Sequence, residues 1–299
     1  MCCSDACLQP TLCANSSSTS LLDAMDPGKV HNWTSPDPRL AALGVRFLQI
    51  GGDVWNRCGH GWLNVDSAFD AGDGVPGPNM PVDDKSGRMI MRHWVHNSSR
   101  LPLEDASVLM VYSEHMLEHM LPWKGGINIL REAYRVLAPG GLLRIVTPDL
   151  AKYTCDHAEG GARGFLRAHG ARFAPMQRLN RSGTPSLASV INNIFHNYAH
   201  KWIYDFDELV LAASRAGISP SQVCRSDRSG LGLGRWARSA IHRATHPRNR
   251  KMTCWIDQAV REDESMYVVL RKPDAAVRSR PVTLKPDAAA PSRPVTLTR

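Results

Sequence analysis

The sequence predicts an α/β fold in which a mostly parallel sheet is covered by helices on both faces. Two observations carry this prediction. Several short apolar runs do not alternate with polar residues, as strands buried on both faces require, and apolar residues at helical spacing separate two of these runs. The chain has 299 residues, 43% of them apolar and 21% charged, which is the composition of a globular protein with a core of enzyme size.

Four apolar runs are predicted to be parallel strands, each ended by turn residues or by an acid. They are 45–50, 62–65, 108–112 and 142–147. Between the last two runs, Ile127, Leu130 and Tyr134 recur every three to four residues and predict a helix, which Pro139-Gly140-Gly141 should end. A strand, helix, strand unit of this kind takes a right-handed crossover.

The second half of the chain holds one more clear helix and one more strand. Residues 205–217 are predicted to be helical, with Asp205 as the N-cap and Gly217 as the stop. The apolar run 266–270 is predicted to be the last strand of the sheet.

The two ends of the chain differ in composition from the middle. Residues 1–44 are rich in Ser, Cys and Pro, and we expect a poorly ordered arm. Residues 272–284 are repeated almost unchanged at 285–297, and two Pro-, Ala- and Arg-rich copies cannot close a core, so 272–299 is predicted to be a disordered tail. The folded domain is therefore expected over 45–271.

Charge is distributed unevenly along the chain. Residues 1–160 hold 13 Lys and Arg against 18 Asp and Glu, whereas residues 161–299 hold 23 against 10. The densest basic stretch, 228–251, has no acid and contains Arg235, Arg238, Arg243, Arg248 and Arg250. Two interpretations stay open: a solvated basic loop, and a surface for nucleic acid or phosphate.

Cysteine spacing and apolar run length indicate where the protein works. None of the eight cysteines forms a C-x-x-C pair, which argues against a zinc ribbon and favours reduced thiols. No run of 18 apolar residues occurs, and the first 30 residues lack the pattern of a secretory signal. We therefore expect a cytoplasmic protein without a membrane span.

Ligands of an open parallel sheet bind at the carboxyl ends of its strands. Four candidate groups follow the predicted strands, namely Gly51-Gly52-Asp53, Asp66, Ser113-Glu114-His115 and Pro148-Asp149. Glycines after the first strand allow close approach to a ligand, and an acid after the second strand accepts hydrogen bonds from both hydroxyls of a ribose. This pair predicts an adenosine-type ligand, whereas the alternative is a turn followed by a capping Asp.

Several segments, taken in order, resemble class I S-adenosylmethionine-dependent methyltransferases. They are IGGD, GWLNVD, LPLEDAS, VYSEHMLEHM, LREAYRVLAPGGLLRIVTPDL and REDESMYVVLRK. The resemblance covers about 45–272 and is greatest for the small methyltransferases related to the type 11 domain. It implies a Rossmann-like fold with a mostly parallel seven-stranded sheet, and S-adenosylmethionine as the cofactor.

The same resemblance implies a set of cofactor-binding residues. Gly51 and Gly52 would lie under the methionine part of the cofactor, and Asp66 would hold the ribose. Asn97 and Ser98 would flank the adenine. Ser113, at the end of the fourth strand of the family pattern, would line the site of methyl transfer to an unidentified O or N acceptor.

This chain departs from the family pattern at two of these places. Asp53 replaces the usual third glycine, where a carboxylate would repel the cofactor carboxylate. Asn97 replaces the usual Asp beside the adenine, although an amide still donates and accepts hydrogen bonds. An inactive methyltransferase-like binding module therefore remains an alternative to the enzyme.

Methyl transfer to an acceptor of high pKa requires a base near the methyl carbon. His115 is the predicted catalytic residue, because an imidazole titrates near neutral pH. His200 and Tyr204 are second choices. A capping or packing role for His115 is an equal alternative.

A metal-dependent function is a further alternative. His115, Glu118 and His119 spell H-x-x-E-H, an inverted zinc-peptidase motif in which the two histidines would share one face of a helix. Some RNA and quinone-precursor O-methyltransferases bind a divalent metal through E-x-x-E-H at this place. Here His115 replaces the first Glu, and a metal site on Glu118 and His119 stays open, although none is assigned.

Overall fold

A computed structural model describes the structure of the chain over 44–51, 61–66, 81–83, 89–92, 100–101, 103–177, 185–228 and 261–274. The cofactor residues predicted at Gly52, Asn97 and Ser98 lie outside these ranges, as does Asp53. The predicted arm also lies outside them except for Gly44, the predicted tail except for residues 272–274, and the basic stretch except for Arg228.

One sheet of eight strands organises the described residues. The strands are β1 Phe47–Ile50, β2 Trp62–Asp66, β3 Pro81–Asp83, β4 Met89–Arg92, β5 Val108–Glu114, β6 Leu137–Pro148, β7 Val223–Ser226 and β8 Ser265–Arg271. Their order across the sheet is β3-β4-β2-β1-β5-β6-β8-β7. β1, β2, β4, β5 and β6 pair in parallel, whereas β8 is antiparallel to both of its neighbours.

The predicted fold class is confirmed, and the predicted number of strands is wrong by one. The extra strand is β3, which pairs antiparallel with β4, the next strand along the chain. A strand of three residues gives too short an apolar pattern to be recognised in the sequence. All residues of β5 are buried, so both faces of the sheet are covered there, as predicted.

The direction in which the chain builds the sheet reverses between β1 and β5. From β1 the sheet grows through β2 and β4 on one side, and through β5 and β6 on the other. The carboxyl ends of two such neighbouring strands leave a crevice between the segments that follow them, and this is where open α/β sheets bind ligands. Gly51 follows β1 at this point, and Ser113 lies near the end of β5.

β6 is longer than the sequence predicts. The segment Pro139-Gly140-Gly141 was expected to separate the helix from the strand, but it lies within β6, which starts directly after the helix. A register shift in the pairing with β5 takes up the additional residues. Gly140 has a φ of +76°, and a Cβ on Gly141 would lie 2.8 Å from the carbonyl oxygen of Ala138, so these glycines form an irregularity inside the strand.

Five α-helices occur in the described ranges. They are α1 Gly126–Val136, α2 Leu150–Ala158, α3 Phe165–Gln177, α4 Leu187–His196 and α5 Phe206–Arg215. α1 confirms the helix predicted between β5 and β6. α5 confirms the second predicted helix and its cap, because the Asp205 carboxylate accepts a hydrogen bond of 2.8 Å from the backbone N–H of Glu208.

Apolar side chains form one main core and one smaller cluster. The main core joins the sheet to α1 and α5 and includes Leu48, Val111, Leu130 and Leu209. The smaller cluster joins α2, α3 and α4 around Tyr153. The segment between β6 and α5 therefore packs on a core of its own beside the carboxyl edge of the sheet.

Two cysteines lie in the described ranges. Cys155 is buried and forms no disulfide, whereas Cys224 on β7 is disulfide-bonded, so the expectation of reduced thiols is wrong for Cys224. A membrane crossing would require a longer and more apolar helix than any found in the described ranges.

Candidate functional site

Three of the predicted cofactor residues lie at the ends of adjacent strands. In the pairing of β1 with β2, Ile50 is level with Val65, and in the pairing with β5 it is level with Ser113. Gly51 and Asp66 are therefore neighbours one residue further on, and the N–H of Gly51 donates a hydrogen bond of 2.9 Å to the carbonyl oxygen of Val65. The predicted residues Gly51, Asp66 and Ser113 share one edge of the sheet.

Gly51 is required by both its conformation and its surroundings. Its φ is +81°, which side chains other than glycine rarely adopt. A Cβ at this position would lie 2.3 Å from Cγ of Met116, so the side chain of Met116 covers the backbone here. Within the chain itself Met116 makes the close approach to Gly51, and the approach of a ligand to this glycine stays a prediction.

Ser113 offers an unsatisfied polar atom at the crevice. The residue is 4% exposed, and its hydroxyl oxygen is buried without a hydrogen-bond partner in the described part of the chain. Buried hydroxyls are ordinarily paired, so an unpaired one calls for an explanation. A bound ligand next to β5 would supply the missing partner.

Asp149, another residue singled out at a strand end, has a structural role. It caps α2, because one carboxylate oxygen accepts a hydrogen bond of 3.1 Å from the N–H of Ala151. The other oxygen lies 3.2 Å from a guanidinium nitrogen of Arg225. Both oxygens are engaged within the protein.

His115 is the predicted base, and its ring is already hydrogen-bonded on both sides. Its Nδ1 lies 3.1 Å from Oε1 of Glu118, and its Nε2 lies 2.9 Å from the hydroxyl oxygen of Ser265. The side chain is 8% exposed and the backbone φ is +48°. The hydroxyl of Ser265 donates a hydrogen bond of 2.7 Å to the carbonyl oxygen of Arg261, so Nε2 is the donor in its contact with Ser265. To accept a proton from a bound acceptor, Nε2 has to release both that proton and Ser265.

Glu118 lies at the centre of the polar contacts on this side of the edge. Its side chain is fully buried, Oε1 contacts His115, and Oε2 accepts a hydrogen bond of 3.0 Å from the hydroxyl of Thr147. Burial would raise the pKa of Glu118, but the hydrogen bond and charge of His115 outweigh burial, and the pKa lies below its ordinary value. Glu118 is therefore a carboxylate at neutral pH.

His200 and Tyr204, the second choices for a base, lie beside the same edge. His200 lies next to Glu118, with 3.9 Å between its Nε2 and Oε1 of Glu118. Burial lowers the pKa of His200, which favours the neutral imidazole. Burial raises the pKa of Tyr204 far above its ordinary value, so its hydroxyl keeps its proton.

The inverted zinc-peptidase arrangement is not formed. Residues 117–119 make a single 3-10 turn, and His115 precedes it with a left-handed backbone, so His115 and His119 do not share a helical face. Among the described residues, the donors that come within 4.8 Å of one another are on Glu118, His119 and His200. His115 bonds to Glu118 instead.

Two of these partners could not be found from sequence spacing. Ser265 is 150 positions from His115, and His200 is 82 positions from Glu118. β8, which lies within the segment REDESMYVVLRK, brings Ser265 to the edge through its antiparallel pairing with β6, in which Ser265 is level with Pro148. The sequence predicts this strand, but it does not predict the register that places Ser265 beside His115.

Comparison with known families gives a match at this point of the molecule. Residues 82–145 match the family described as a methyltransferase domain. Over these residues the chain is similar to a methyltransferase domain. The match contains β4, β5, α1 and most of β6, and therefore Ser113, His115 and Glu118. The match agrees with the resemblance to S-adenosylmethionine-dependent methyltransferases that the sequence motifs carry.

Solved structures of methyltransferases are similar at low identity. A chain of the complex between the Haloferax volcanii Trm112 methyltransferase activator and a methyltransferase is 15% identical, covering 81% of this chain and 90% of its own, with a TM-score of 0.36. A Thermotoga maritima S-adenosylmethionine-dependent methyltransferase is 16% identical over 76% and 82%, with a TM-score of 0.36. A geranyl diphosphate methyltransferase solved with S-adenosylmethionine is 14% identical over 85% and 82%, with a TM-score of 0.35. No curated protein matches the chain.

Proposed function

We propose that this methyltransferase domain binds S-adenosylmethionine in the crevice between the ends of β1 and β5 and transfers its methyl group to an O or N of an acceptor. The observation that carries the proposal is the placement of Gly51, Asp66 and Ser113 on one edge, at the point where the strand order reverses.

Gly51, Asp66 and Ser113 each have a role in the proposed binding of the cofactor. Asp66 ends β2 and is half-buried, so its carboxylate accepts hydrogen bonds from the ribose hydroxyls. The backbone of Gly51 lies under the methionine part of the cofactor. Ser113 provides its buried hydroxyl at the reacting end. Gly52, Asn97 and Ser98 complete the proposed set from outside the described residues.

The chemistry requires alignment more than activation, because the sulfonium already makes the methyl carbon electrophilic. A lone pair of the acceptor forms the new bond to carbon while the carbon–sulfur bond breaks, and its electrons return to sulfur. S-adenosylhomocysteine is released. The proton lost by the acceptor goes to a base, which we propose is His115 after its Nε2 releases its own proton and exchanges Ser265 for the acceptor.

The segment between β6 and α5 is proposed to form the acceptor pocket. Residues 150–204 include α2, α3 and α4, which have their own apolar cluster beside the edge. Acceptor pockets are assembled from variable segments, and we propose 67–96, which includes β3 and β4, as the second of them.

Isothermal titration with S-adenosylhomocysteine tests the proposal. We expect the wild-type protein to bind, and Asp66→Ala to weaken binding at least tenfold, because the ribose loses its acceptor. Asp207→Ala is the matched control, since Asp207 is an exposed aspartate in the first turn of α5 and is not one of the proposed cofactor residues. A wild-type protein that binds no cofactor at millimolar concentration rules the proposal out and leaves the binding module.

A further inference from the structure

Exposed aromatic side chains gather on one surface beyond the carboxyl end of β5. Three of the four exposed large hydrophobic side chains in the described ranges belong to two segments, 119–125 and 195–202. The three are Trp123, Phe195 and Tyr198, and we call the two segments together the aromatic surface. Trp123 is 57% exposed, the largest value among them. Exposed hydrophobic side chains scattered singly are ordinary, but a group of them at one place marks an interaction site.

Main-chain hydrogen bonds and a ring contact join the two segments. The N–H groups of Lys201 and Trp202 both donate to the carbonyl oxygen of Glu118, at 2.8 and 3.1 Å. The rings of Trp123 and Trp202 meet edge to face, with centroids 5.2 Å apart. Trp202 is half-buried, so it forms a fixed support from which the indole of Trp123 extends into solvent.

A second row of rings continues the aromatic surface. The ring of His200 contacts the ring of His119 edge to face, with centroids 4.9 Å apart, and the ring of Tyr198, with centroids 5.5 Å apart. Tyr198 and Ala199 have φ values of +62° and +60°. Left-handed backbone at two successive residues with side chains is strained, and such strain concentrates at functional sites. Rings that are held in place before binding reduce the entropy cost of binding a partner.

The aromatic surface carries positive charge and contains no acid. Its two lysines, Lys124 and Lys201, are both exposed, and each is next in sequence to one member of the tryptophan pair. Glu118, the acid directly before the first segment, is 0% exposed and pairs with His115. Residues 161–299 as a whole hold 23 Lys and Arg against 10 Asp and Glu. The charge therefore favours an anionic partner.

We propose that the aromatic surface binds a single-stranded nucleic acid. Such strands bind where exposed aromatic rings lie beside cations, because bases stack on the rings while the cations contact the phosphates. Trp123 stacks with one base, and Lys124 and Lys201 contact phosphates on either side of it. Binding requires neither the cofactor nor the methyl acceptor, so the inference goes beyond the proposed methyl transfer.

A membrane surface is the competing partner for exposed Trp, Tyr and Lys side chains. Peripheral membrane binding ordinarily uses the apolar face of an amphipathic helix. Here Trp123 and Tyr198 lie on turns, and the exposed polar side chains of His196 and Asn197 directly precede Tyr198. This arrangement favours stacking with bases over insertion into lipid.

Fluorescence anisotropy tests the proposal with the full chain and labelled single strands of RNA and DNA of about 12 nucleotides. We expect binding that weakens as the salt concentration rises from about 50 to about 200 mM. Trp123→Ala should weaken binding about tenfold, because one stacked base is lost, whereas Trp123→Phe keeps a ring and should retain most of the affinity. Lys124→Ala and Lys201→Ala should each reduce the slope of log K against log salt by about 0.7.

Leu211→Ala is the matched control, since Leu211 is 43% exposed on α5, outside both segments, and it should bind as the wild type does. Trp123 and both lysines are exposed, so their variants should fold, which circular dichroism verifies.

Two results overturn the proposal: a wild-type protein that binds neither strand, or a Trp123→Ala variant that binds both strands as tightly as the wild type. Co-sedimentation with vesicles of phosphatidylcholine and phosphatidylserine adds a third. Vesicle binding that Trp123→Ala abolishes, without binding of either strand, would assign the surface to a membrane. No cofactor is present in these titrations, so their outcome and that of the S-adenosylhomocysteine titration are independent.

Discussion

Along the carboxyl edge of the sheet, the side formed by β1 and β2 differs from the side formed by β5 and β6 in what holds its residues in place. Gly51 and Asp66 are neighbours because strand register and a main-chain hydrogen bond align them. Glu118 is held by His115, three residues before it, and by two more distant parts of the chain, namely the Thr147 side chain and the backbone of the segment 200–202. The first side is a backbone platform, whereas the second is a buried polar network.

The difference has an energetic consequence. A backbone platform tolerates changes of side chain and resists changes that alter φ or add atoms at its glycine. A buried charged network resists the loss of any one partner, because the remaining charge is left without compensation. Substitutions on the two sides are therefore expected to affect stability through different mechanisms and by different amounts.

The largest expected effect is the loss of the Glu118 charge. Glu118→Gln leaves the shape of the side chain but removes the buried carboxylate that pairs with His115, and we expect a loss of about 3 kcal/mol in the free energy of unfolding. Thr147→Val removes one neutral donor to the same carboxylate and should cost about 1 kcal/mol. Urea unfolding measures both. Equal losses in the two variants would contradict a network organised around Glu118.

An intermediate effect is expected at the glycine of the platform. Gly51→Ala places a Cβ against Met116 in a residue with a φ of +81°, and we expect a loss of about 2 kcal/mol. Gly44→Ala is the control, since Gly44 has a φ of +68° but no atom within 4 Å of its Cβ position. It should cost about 1 kcal/mol. If the two variants unfold at the same urea concentration, Met116 does not cover Gly51 as described.

The smallest expected effect is a change in how the free energy of unfolding depends on pH, through His169 on α3. Burial lowers the pKa of His169, which the charge of nearby Glu264 only partly offsets. As the pH falls, the His169 imidazole is therefore protonated in the unfolded state before it is protonated in the folded state. The stability that neutral His169 contributes is present above about pH 6.5 and is lost as the pH falls below it. Urea unfolding at pH 7.5 and 5.5 should show a smaller pH dependence in His169→Asn than in the wild type. An unchanged dependence would contradict a neutral buried His169.

The platform could be predicted from the sequence because its residues follow local patterns. Gly51 and Asp66 each end a short apolar run, and strands that run in parallel bring such ends together. The network could not be predicted, because His200 and Ser265 reach Glu118 and His115 through tertiary packing that no spacing records. The motif H-x-x-E-H was visible, but the left-handed backbone at His115 gave its residues other partners than the motif implies.

The irregularity in β6 shows the same limit within a single element. Pro139-Gly140-Gly141 carries a strong turn signal, yet the segment continues the strand because pairing with β5 shifts register there. The turn preference of these three residues correctly predicts where the backbone is irregular. The pairing with β5 keeps this irregularity inside the strand.

A crystal structure with S-adenosylhomocysteine shows whether the crevice between β1 and β5 holds the cofactor. We predict the ligand in this crevice, with its ribose hydroxyls on Asp66 and its sulfur on the side of Ser113. A ligand bound elsewhere, or an empty crevice after soaking at millimolar concentration, would contradict the claim.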